Sequence, residues 1–336
     1  MGLEKLLNDT KVIAVVCNQW GDTGKGKFSD YFASQWAEVT ARGTGGNNAG
    51  HTVVVNGQER IFHLLPAGIT NDCDGQITVL GNGMVIDVPV LIDELNDLDS
   101  EGMSYDNLRI SKDAHVILPY HIERDRARHQ SQANGGIGST GRGIGPSYTD
   151  KIARRGITIG DLFDTDVLAE KIEKAIASYP EQVVNVGEVI DEVVSYRDRI
   201  KPFVRDTVSD MHRFVRKGKR ILIEGAQGLL LSVEHGSYPY VTSSDCSLNG
   251  TANGVGLPAT AVDLPLGIVK FPFMTRVGAG PFPTELGGAR SEIYCGEDDH
   301  TKLQELGEHG IPYDVVGDEV SYNLQHEKIV SMMNSR

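Results

Sequence analysis

The sequence lacks the features that mark a membrane, secreted or cysteine-built metal protein. No stretch of its 336 residues is long and apolar enough to cross a membrane, and the N-terminus MGLEKLLNDTK has no apolar core of a secretory signal. The four cysteines (Cys17, Cys73, Cys246 and Cys295) are widely spaced and form no CxxC pair. We therefore expect a cytoplasmic protein with reduced thiols, no membrane partner and no metal cluster.

An excess of positive charge is also missing. Lys and Arg number 32 against 46 Asp and Glu, which gives a net charge of −14 and a pI near 5.1. This balance argues against a nucleic-acid partner, since such a surface normally carries a basic stripe, but a few local cations can still serve an anionic small substrate. No repeat, linker or long charge run marks a boundary, and we predict one domain over residues 1–336.

Glycine, in contrast, is abundant and clustered. Of the 39 glycines, 20 lie in the bursts GDTGKGK, GTGGNNAG, NGGIGSTGRGIGP, NGTANGVGLP and VGAGPFPTELGG. Several bursts also contain Lys, Arg, Asp or Asn. Glycine in such bursts brings the backbone close to a ligand or forms tight turns. The charged and polar residues among these glycines favour ligand loops.

Apolar periodicity predicts an α/β fold around a mostly parallel sheet. Strands are predicted over 11–17, 52–55, 61–63, 77–80, 221–224 and 266–269. Helices are predicted over 88–98, 121–130, 166–178 and 183–215, the last broken by Pro202. Alternation of strands and helices with long connections is typical of a parallel sheet covered by helices.

The opening glycine burst, QWGDTGKGKFSD, directly follows the first apolar run. The spacing Gly21-x-x-x-x-Gly26-Lys27 fits a P-loop, except that Phe28 stands where a Ser or Thr hydroxyl would hold Mg²⁺. A strand, a glycine-rich turn and a helix in this order point backbone N–H groups at a phosphate. The segment therefore predicts a triphosphate site in which another group serves the metal.

Asp22 is the candidate for that group. A carboxylate oxygen suits Mg²⁺, and a carboxylate held near a substrate proton can act as a general base. An aspartate at this position can also do no more than shape the turn. Beside it, Lys25 and Lys27 supply positive charge, and Gly24 allows close backbone approach.

The second burst and the segment ILIEGAQGLLLSVEHGSYPYVTSSD offer groups that bind phosphates and bases. Asn48 carries an amide, and His51 follows Gly50, where an imidazole could meet a phosphate or serve only a structural role. In ILIEGAQG, a buried strand leads into Gln227, and Thr242 lies in the turn beyond. Ligands of open α/β sheets lie beyond the carboxyl ends of the strands, so Gln227 is well placed to read a base.

The third burst, GIGSTGRGIGPSYTDKIARR, is interpreted as a flexible loop with hydroxyls at Ser139 and Thr140. Arg142, Arg154 and Arg155 suit bidentate recognition of phosphate. Arg154 and Arg155 equally fit the solvated face of a helix. The sequence alone leaves these two alternatives open.

Six ordered motifs resemble the adenylosuccinate synthetase family. They are QWGDTGKGK, NNAGHT, GSTGRGIGPSYTDKIARRG, EGAQG, HGSYPYVTSS and TRVGAGPFPTE. The likeness runs from residue 11 to residue 285, and six motifs in order are far more specific than a lone glycine loop. The resemblance implies one large α/β domain with a P-loop-like nucleotide-binding fold, usually a homodimer.

The resemblance also implies a ligase reaction, in which GTP phosphorylates the 6-oxygen of IMP and the amine of aspartate then displaces the phosphate. It implies Asp22 as the base that removes the N1 proton and as a ligand of Mg²⁺. Lys25 matches a lysine that stabilises charge on the transferred phosphate. His51 matches the acid that assists departure of the γ-phosphate, and Gly50 matches a carbonyl ligand of Mg²⁺.

Further positions match residues that hold the ligands in the family. Binding of the purine monophosphate is implied for Asn48, Thr140, Arg154, Gln227 and Thr242, with Arg154 reaching a phosphate across the dimer interface. Binding of the triphosphate is implied for Gly21, Gly24, Lys25, Gly26, Lys27, Gly50 and His51. Val277 and Gly278 match the side on which aspartate binds.

The family pattern is not visible after the PFPTE motif. Members continue with an Arg-rich loop that grips aspartate and a Lys-x-Asp motif that reads guanine, whereas after Arg290 the next arginine here is Arg336. In TKLQ, Gln304 stands where the guanine motif has Asp. We expect either a shortened or incomplete member with a divergent tail over 286–336, or other groups holding aspartate and the triphosphate.

One departure lies in the opening motif, because the family normally has Glu where Thr23 stands. Thr23 and the SSDC segment at 243–246 resemble the 2-aminoadenylosuccinate synthetases of some bacteriophages. That branch converts a guanine nucleotide, GMP or dGMP, with ATP or dATP, and it tends to carry a small residue in place of Asp22. The retained Asp22 favours IMP.

Two further alternatives stay open. The missing tail motifs are consistent with a nucleotide-binding module without activity. A generic P-loop NTPase is disfavoured by Phe28 and by the absence of a clear second magnesium-binding aspartate at a strand end.

Overall fold

The computed structural model describes residues 7–48, 50–55, 58–70, 75–131, 140–180, 182–271 and 274–282. For residues 51–55, 58–60 and 128–131 it describes the backbone alone. Ser139, Cys73, Cys295 and the tail over 286–336 lie outside the described residues.

Seven parallel strands form the central sheet, in the order β11-β1-β10-β2-β5-β7-β9. The strands of the described chain are β1 Val12–Cys17, β2 Val39–Arg42, β3 His51–Val55, β4 Gln58–Phe62, β5 Ile77–Leu80, β6 Val85–Asp87, β7 Leu108–Ser111, β8 His115–Ile117, β9 Val204–Arg205, β10 Ile221–Glu224 and β11 Leu264–Ile268. Strands β3 and β4 pair as an antiparallel hairpin, and β6 and β8 form a short parallel pair.

Helices cover the sheet and its edges. They are α1 Lys25–Gln35, α2 Val88–Ser100, α3 Pro119–Ser131, α4 Ile144–Ile152, α5 Thr165–Ile176, α6 Val186–Ile200, α7 Thr207–Arg216 and α8 Leu248–Asn253. Over the described residues, no helix combines the length and the apolar character that crossing a membrane requires.

The core explains why β1 is an unbroken apolar run. Ile13 and Val15 pack with Phe32 and Trp36 of α1 on one face of the sheet. On the other face, Val12 and Ala14 pack with α7, where Met211 and Phe214 are buried. A strand with a helix on each face has no polar side, which confirms the predicted α/β class. Truncating a buried aromatic such as Phe214 to alanine typically costs about 3–5 kcal/mol.

Most elements predicted from the sequence are present. The strands at 77–80 and 221–224 begin and end as predicted, and the pattern over 183–215 is broken at Pro202 by a 3-10 turn between α6 and α7. The sequence analysis missed β2 and β7 of the central sheet, whose runs VTAR and LRIS are interrupted by polar residues, and the strands β6, β8 and β9 of 2 or 3 residues.

The helix in the second half of the third burst was not among the predicted elements. Residues Ile144–Ile152 form α4, with Gly145 and Pro146 in the first turn. Proline is tolerated there, because the first N–H groups of a helix have no partner within the helix. These two residues, which usually punctuate loops, hid the helical pattern that follows.

Three glycines let separate segments cross by backbone alone above the sheet. A Cβ atom on Gly254 would lie 1.8 Å from the carbonyl oxygen of Gly43, and one on Gly83 would lie 2.2 Å from the same atom. The N–H of Gly83 donates to the carbonyl of Gly254 at 2.8 Å. This glycine crossing, defined by Gly43, Gly83 and Gly254, brings together the ends of β2, β5 and α8.

Candidate nucleotide-binding site

The opening loop leaves the carboxyl end of β1 and enters α1 at Lys25. Gly21, Asp22 and Gly24 have φ angles of 85°, 47° and 80°, so the loop reverses direction through left-handed backbone. Gly24 precedes the helix without a side-chain cap, and a Cβ atom there would meet nothing within 4 Å. The first turn of α1 therefore faces open space with uncapped N–H groups, a geometry that suits an anion.

The Asp22 carboxylate is exposed and held on one side. Its Oδ2 accepts hydrogen bonds from Lys270 Nζ at 2.9 Å and from Thr275 Oγ1 at 3.1 Å. Both donors come from the segment after β11, far along the chain. These two hydrogen bonds to Oδ2 orient the carboxylate, while 64% of the side chain stays accessible.

Lys25 turns inward rather than into solvent. Its Nζ donates to the carbonyl oxygen of Gln227 at 2.7 Å. Burial lowers the pKa of Lys25, although the nearby Cys17 and Glu224 oppose this shift. An ammonium that is desolvated but held in place interacts strongly with a phosphate placed beside it. Lys27, on the same helix, is exposed.

The second and third bursts meet through hydrogen bonds. The Arg142 guanidinium donates to the carbonyl oxygen of Asn47. The hydroxyl of Tyr148, on α4, accepts from the N–H of Gly45 at 3.0 Å and donates to the carbonyl of Gly83 at 2.8 Å. Arg142 and Tyr148 thus join two bursts that lie about a hundred residues apart in the sequence.

The segment that follows β10, from Gly225 to Asp245, closes against the first and third bursts. A Cβ atom on Gly228 would lie 2.2 Å from the carbonyl oxygen of Gln19, so glycine is needed for this close approach. A Cβ atom on Gly145 would lie 3.2 Å from Ser243 Oγ, which places α4 beside the turn that holds Thr242. The bursts therefore converge at one end of the sheet, as predicted for the carboxyl ends of its strands.

Buried polar atoms without a partner mark the place where the bursts meet. Within the described residues, these atoms include Thr23 Oγ1, Thr44 Oγ1, Asn47 Oδ1 and Gln227 Nε2. Gln227 also has a φ angle of 55°, a strained conformation for a residue other than glycine. Such atoms also occur elsewhere in the described chain, at Trp36, Gln76 and Thr207 for example, but the four named here lie where the bursts meet and could pair with a polar ligand.

A buried ion network lies beneath the site. Arg42 ends β2 with no exposure and donates to the carbonyl oxygens of His63, Leu64 and Gly46. Burial lowers the pKa of Arg42, while Glu224 and Glu94 raise it. Charged residues that close apolar strands are the sequence signal for this network, and the sequence analysis did not use it.

The segment that contains Val277 and Gly278 docks on the opening loop. The N–H of Val277 donates to the carbonyl of Trp20 at 3.0 Å, and Gly278 has a φ angle of 75°. Arg276 fixes the segment by donating to the carbonyl of Tyr240 at 2.8 Å and to Ser237 Oγ at 3.1 Å. The predicted aspartate side thus adjoins Asp22.

The structure gives fewer contacts for the remaining predicted residues. Asn48 is half-buried and accepts from the N–H of Gly46 at 3.3 Å, and Thr242 is also half-buried. Gly50 and Thr140 are exposed. His51 begins β3, and its side chain lies outside the described part of the structure.

Arg154 does not join the other predicted residues. It follows the far end of α4, and a helix of 9 residues spans roughly 13 Å. Its side chain is exposed, and within the described residues its guanidinium has no hydrogen-bond or ion-pair partner. A single chain therefore leaves Arg154 outside the site formed by its own glycine bursts.

The parallel sheet, the glycine loop at a helix N-terminus and the inward lysine define a protein of the P-loop-like α/β class. Comparison with known proteins places it more closely. The family model described as adenylosuccinate synthetase matches residues 14–313. The chain belongs to the adenylosuccinate synthetase family.

Relatives support this assignment over a limited part of their own length. The chain is 44% identical over 282 residues to the adenylosuccinate synthetase of Streptococcus gordonii, covering 82% of this chain and 65% of that protein. It is 45% identical over 289 residues to the enzyme of Heliobacterium modesticaldum, covering 84% and 67%. The chain thus spans about two thirds of the length of these curated relatives.

Solved structures give the same fold. Fully ligated adenylosuccinate synthetase from Plasmodium falciparum matches with a TM-score of 0.75 and 35% identity, covering 89% of this chain and 68% of that one. The cyanophage S-2L succinoaminodeoxyadenylate synthetase, bound to dGMP and dATP, matches with a TM-score of 0.53 and 27% identity, covering 76% and 62%.

Proposed function

We propose that the chain is a ligase that joins L-aspartate to C6 of a purine nucleoside monophosphate. The favoured reaction converts IMP, aspartate and GTP into adenylosuccinate, GDP and phosphate. The observation that carries the proposal is the convergence of the glycine bursts around Lys25 and Gln227 in a member of this family. We take residues 1–336 as a single catalytic domain acting in the cytoplasm, where buried free thiols such as Cys17 and Cys246 are stable.

The first step in the proposal makes the 6-oxygen a leaving group. Asp22 removes the N1 proton of IMP, and the electron pair moves to the 6-oxygen, which attacks the γ-phosphorus of the triphosphate. The bond from that phosphorus to the β,γ-bridging oxygen breaks, and the nucleoside diphosphate leaves. Lys25 offsets the charge on the transferred phosphoryl group, and His51 assists its departure from the donor.

In the second step, the amine of aspartate attacks C6 and phosphate departs with the 6-oxygen. Asn48, Thr140, Gln227 and Thr242 would hold the purine monophosphate during both steps. Val277 and Gly278 adjoin the opening loop, which supports their assignment to the aspartate side. The unpartnered Gln227 Nε2 supports a role in reading the base.

Magnesium fits the groups that the opening loop and the second burst offer. The accessible Asp22 carboxylate and the exposed Gly50 carbonyl are hard oxygen ligands, and Mg²⁺ in nucleotide sites uses few protein ligands beside phosphates and water. When bound, the ion would neutralise charge on the triphosphate oxygens. The glycines and lysines of the loop, Gly21, Gly24, Gly26 and Lys27, would bind the phosphates through N–H groups and charge.

A homodimer completes the proposal. Arg154 lies roughly 13 Å of helix away from the converging bursts of its own chain, so it fits a phosphate bound by a second copy. An exposed guanidinium without a partner in the described residues is free for such a bidentate contact.

A guanine nucleotide is the second candidate substrate. The match to a cyanophage protein whose structure contains dGMP and dATP favours this alternative, with ATP or dATP as the donor. Thr23 supports it as well, because this small residue stands beside Asp22 with a buried, unpartnered hydroxyl. Retention of Asp22 keeps IMP the favoured substrate.

A substrate matrix tests these proposals together. Purified protein is given IMP, GMP or dGMP with aspartate, Mg²⁺ and GTP, ATP or dATP, and the succinyl-purine product is measured by mass. Product from IMP alone supports the favoured reaction, and product from GMP or dGMP supports the second candidate. Monophosphate binding without product in any mixture indicates a binding module, and triphosphate hydrolysis without a purine monophosphate indicates a generic NTPase.

A further inference from the structure

A buried carboxylate lies at the end of α4, outside the site described above. Asp150 has no exposed surface. Its Oδ1 accepts from Arg155 Nε at 2.9 Å and from the Tyr179 hydroxyl at 2.8 Å. Its Oδ2 lies 3.2 Å from His121 Nε2 and 3.5 Å from the Arg124 guanidinium. We call these residues, Asp150, His121, Arg124, Arg155 and Tyr179, the Asp150 cluster.

The hydrogen bonds assign the protonation of the cluster. His121 Nδ1 accepts from the N–H of Leu118 at 2.9 Å, so its proton lies on Nε2 and points to Asp150. Burial lowers the pKa of His121, which keeps the ring neutral. Burial opposes ionisation of Asp150 too, but the hydrogen bonds from His121 and Arg155 hold its pKa below the ordinary value. The cluster thus contains a buried carboxylate with donors around it.

The backbone of Asp150 holds the turn that follows. Its carbonyl oxygen accepts from the N–H groups of Arg155 and Gly156, each at 3.0 Å. Between Asp150 and these two residues, Arg154 has a φ angle of 60°, a left-handed conformation that costs a non-glycine residue about 1–2 kcal/mol. A Cβ atom on Gly156 would lie 2.4 Å from His115 Cδ2, so the chain cannot shift toward that side.

The side chains of the two arginines in this turn lie in different surroundings. Arg155 is held inward by Asp150 and by the Tyr179 hydroxyl, and its guanidinium lies 4.6 Å from the centre of the Tyr179 ring. Arg154 is exposed, and its guanidinium has no partner in the described part of the chain. Fixing Arg155 therefore fixes the direction in which its neighbour leaves the turn.

We propose that Asp150 is a positioning residue, which locks the turn after α4 so that Arg154 is presented to the phosphate of a nucleotide bound by a second copy of the chain. The inference rests on the proposed function, because it takes a purine nucleoside monophosphate as the ligand of Arg154. Pre-ordering an exposed arginine reduces the entropy lost when it binds a phosphate. The strained backbone at Arg154 is maintained only because the surrounding contacts determine it.

A double-mutant cycle on binding tests this role. Dissociation constants of IMP and GMP are measured by calorimetry on full-length protein, with the melting temperature and the dimer recorded for each variant. We expect Asp150→Asn to weaken binding of the monophosphate about tenfold, of the order of one charge-assisted hydrogen bond, and Arg154→Ala to weaken it at least as much. In the Arg154→Ala background, Asp150→Asn should then add less than about twofold.

Asp210→Asn is the matched control, because Asp210 is another buried carboxylate that pairs with arginines. It lies on α7 and forms ion pairs with Arg213 of the same helix and with Arg109 of β7. It should lower the melting temperature without changing the dissociation constant. If Asp150→Asn does not fold, Tyr179→Phe replaces it, because this change removes one hydrogen-bond donor from the cluster. Tyr179→Phe should weaken monophosphate binding about threefold in protein that retains Arg154, and should have no such effect in the Arg154→Ala variant.

Three results would overturn the inference: Asp150→Asn acting on melting temperature only, equal effects of Asp150→Asn with and without Arg154, or no monophosphate binding by the wild-type protein. Wild-type binding of IMP or GMP without succinyl-purine product would count against the proposed function alone. The cycle would then still decide whether Asp150 positions Arg154.

Discussion

Asp22 and Asp150 are carboxylates in contrasting surroundings. The Asp22 side chain is 64% exposed and contacts donors on one oxygen, whereas Asp150 is fully buried and contacts donors on both oxygens. The first arrangement leaves lone pairs for a proton and a metal, and the second uses them to fix a turn. A carboxylate that is exposed and hydrogen-bonded on one oxygen, such as Asp22, therefore suits a reacting group. A buried carboxylate with both oxygens hydrogen-bonded, such as Asp150, suits a group that holds another residue in place.

The largest effect is expected for Asp22→Asn. The amide keeps the volume and the turn but cannot take a proton, so turnover should fall about 10²–10⁴-fold, the range for loss of a general base. Binding of the monophosphate and the melting temperature should change little, because the carboxylate is exposed. Single-turnover assays and calorimetry measure the two effects, and a variant with wild-type turnover would remove Asp22 from the mechanism.

A subunit-mixing experiment connects the two regions. Asp22→Asn and Arg154→Ala are each expected to lack most activity alone, but a mixed dimer would contain one site with Asp22 from one chain and Arg154 from the other. Random exchange should restore about a quarter of wild-type activity, since half the dimers are mixed and each has one intact site. The mixture is compared with each variant alone, and no gain after exchange would place Arg154 outside the neighbouring site.

A smaller effect is expected for Thr275→Val. The change removes the hydroxyl that donates to Asp22 Oδ2 at 3.1 Å, and an exposed hydrogen bond contributes about 1 kcal/mol, or roughly fivefold in turnover. Thr275→Ser retains the hydroxyl and should behave as wild type in the same kinetic assay. A loss in Thr275→Ser without a loss in Thr275→Val would indicate that the methyl group, rather than the hydrogen bond, matters.

The smallest effect concerns stability near the Asp150 cluster. Burial first, and then Lys151, lowers the pKa of His115 to about 4. The folded protein keeps this ring neutral while the unfolded chain takes up a proton below about pH 6.5, so stability is complete above that pH and falls toward pH 4. His115→Gln should show a shallower fall in melting temperature from pH 6.5 to 4, and parallel curves would contradict this cause.

The fold could largely be predicted from the sequence because its main strands are unbroken apolar runs. The strand at 12–17 is buried on both faces, and Pro202 marked the break between α6 and α7. The strands β2 (VTAR) and β7 (LRIS) escaped detection because polar residues make up half of each run, against one residue in four in β5 and β10. Helix α4 escaped because Gly145 and Pro146 in its first turn resemble loop residues.

The candidate site was predictable in composition but not in its internal contacts. The sequence motifs named Asp22, Lys25 and Gln227, and the structure joins Lys25 to the Gln227 carbonyl. Contacts such as Lys270 with Asp22 join residues 248 positions apart, so no local pattern encodes them. The inward and outward directions of Arg155 and Arg154 likewise depend on tertiary packing and not on residue type.

The glycine crossing has a consequence for protein engineering. Carbonyl oxygens occupy the space that a side chain at Gly254 or Gly83 would need, at 1.8 Å and 2.2 Å. In a saturation library, these two codons should therefore return glycine alone among folded clones, whatever substrate is used for selection. A chimera that takes one of the three crossing segments from another protein must keep glycine at the contact. The crossing is therefore a practical boundary for designing chimeras.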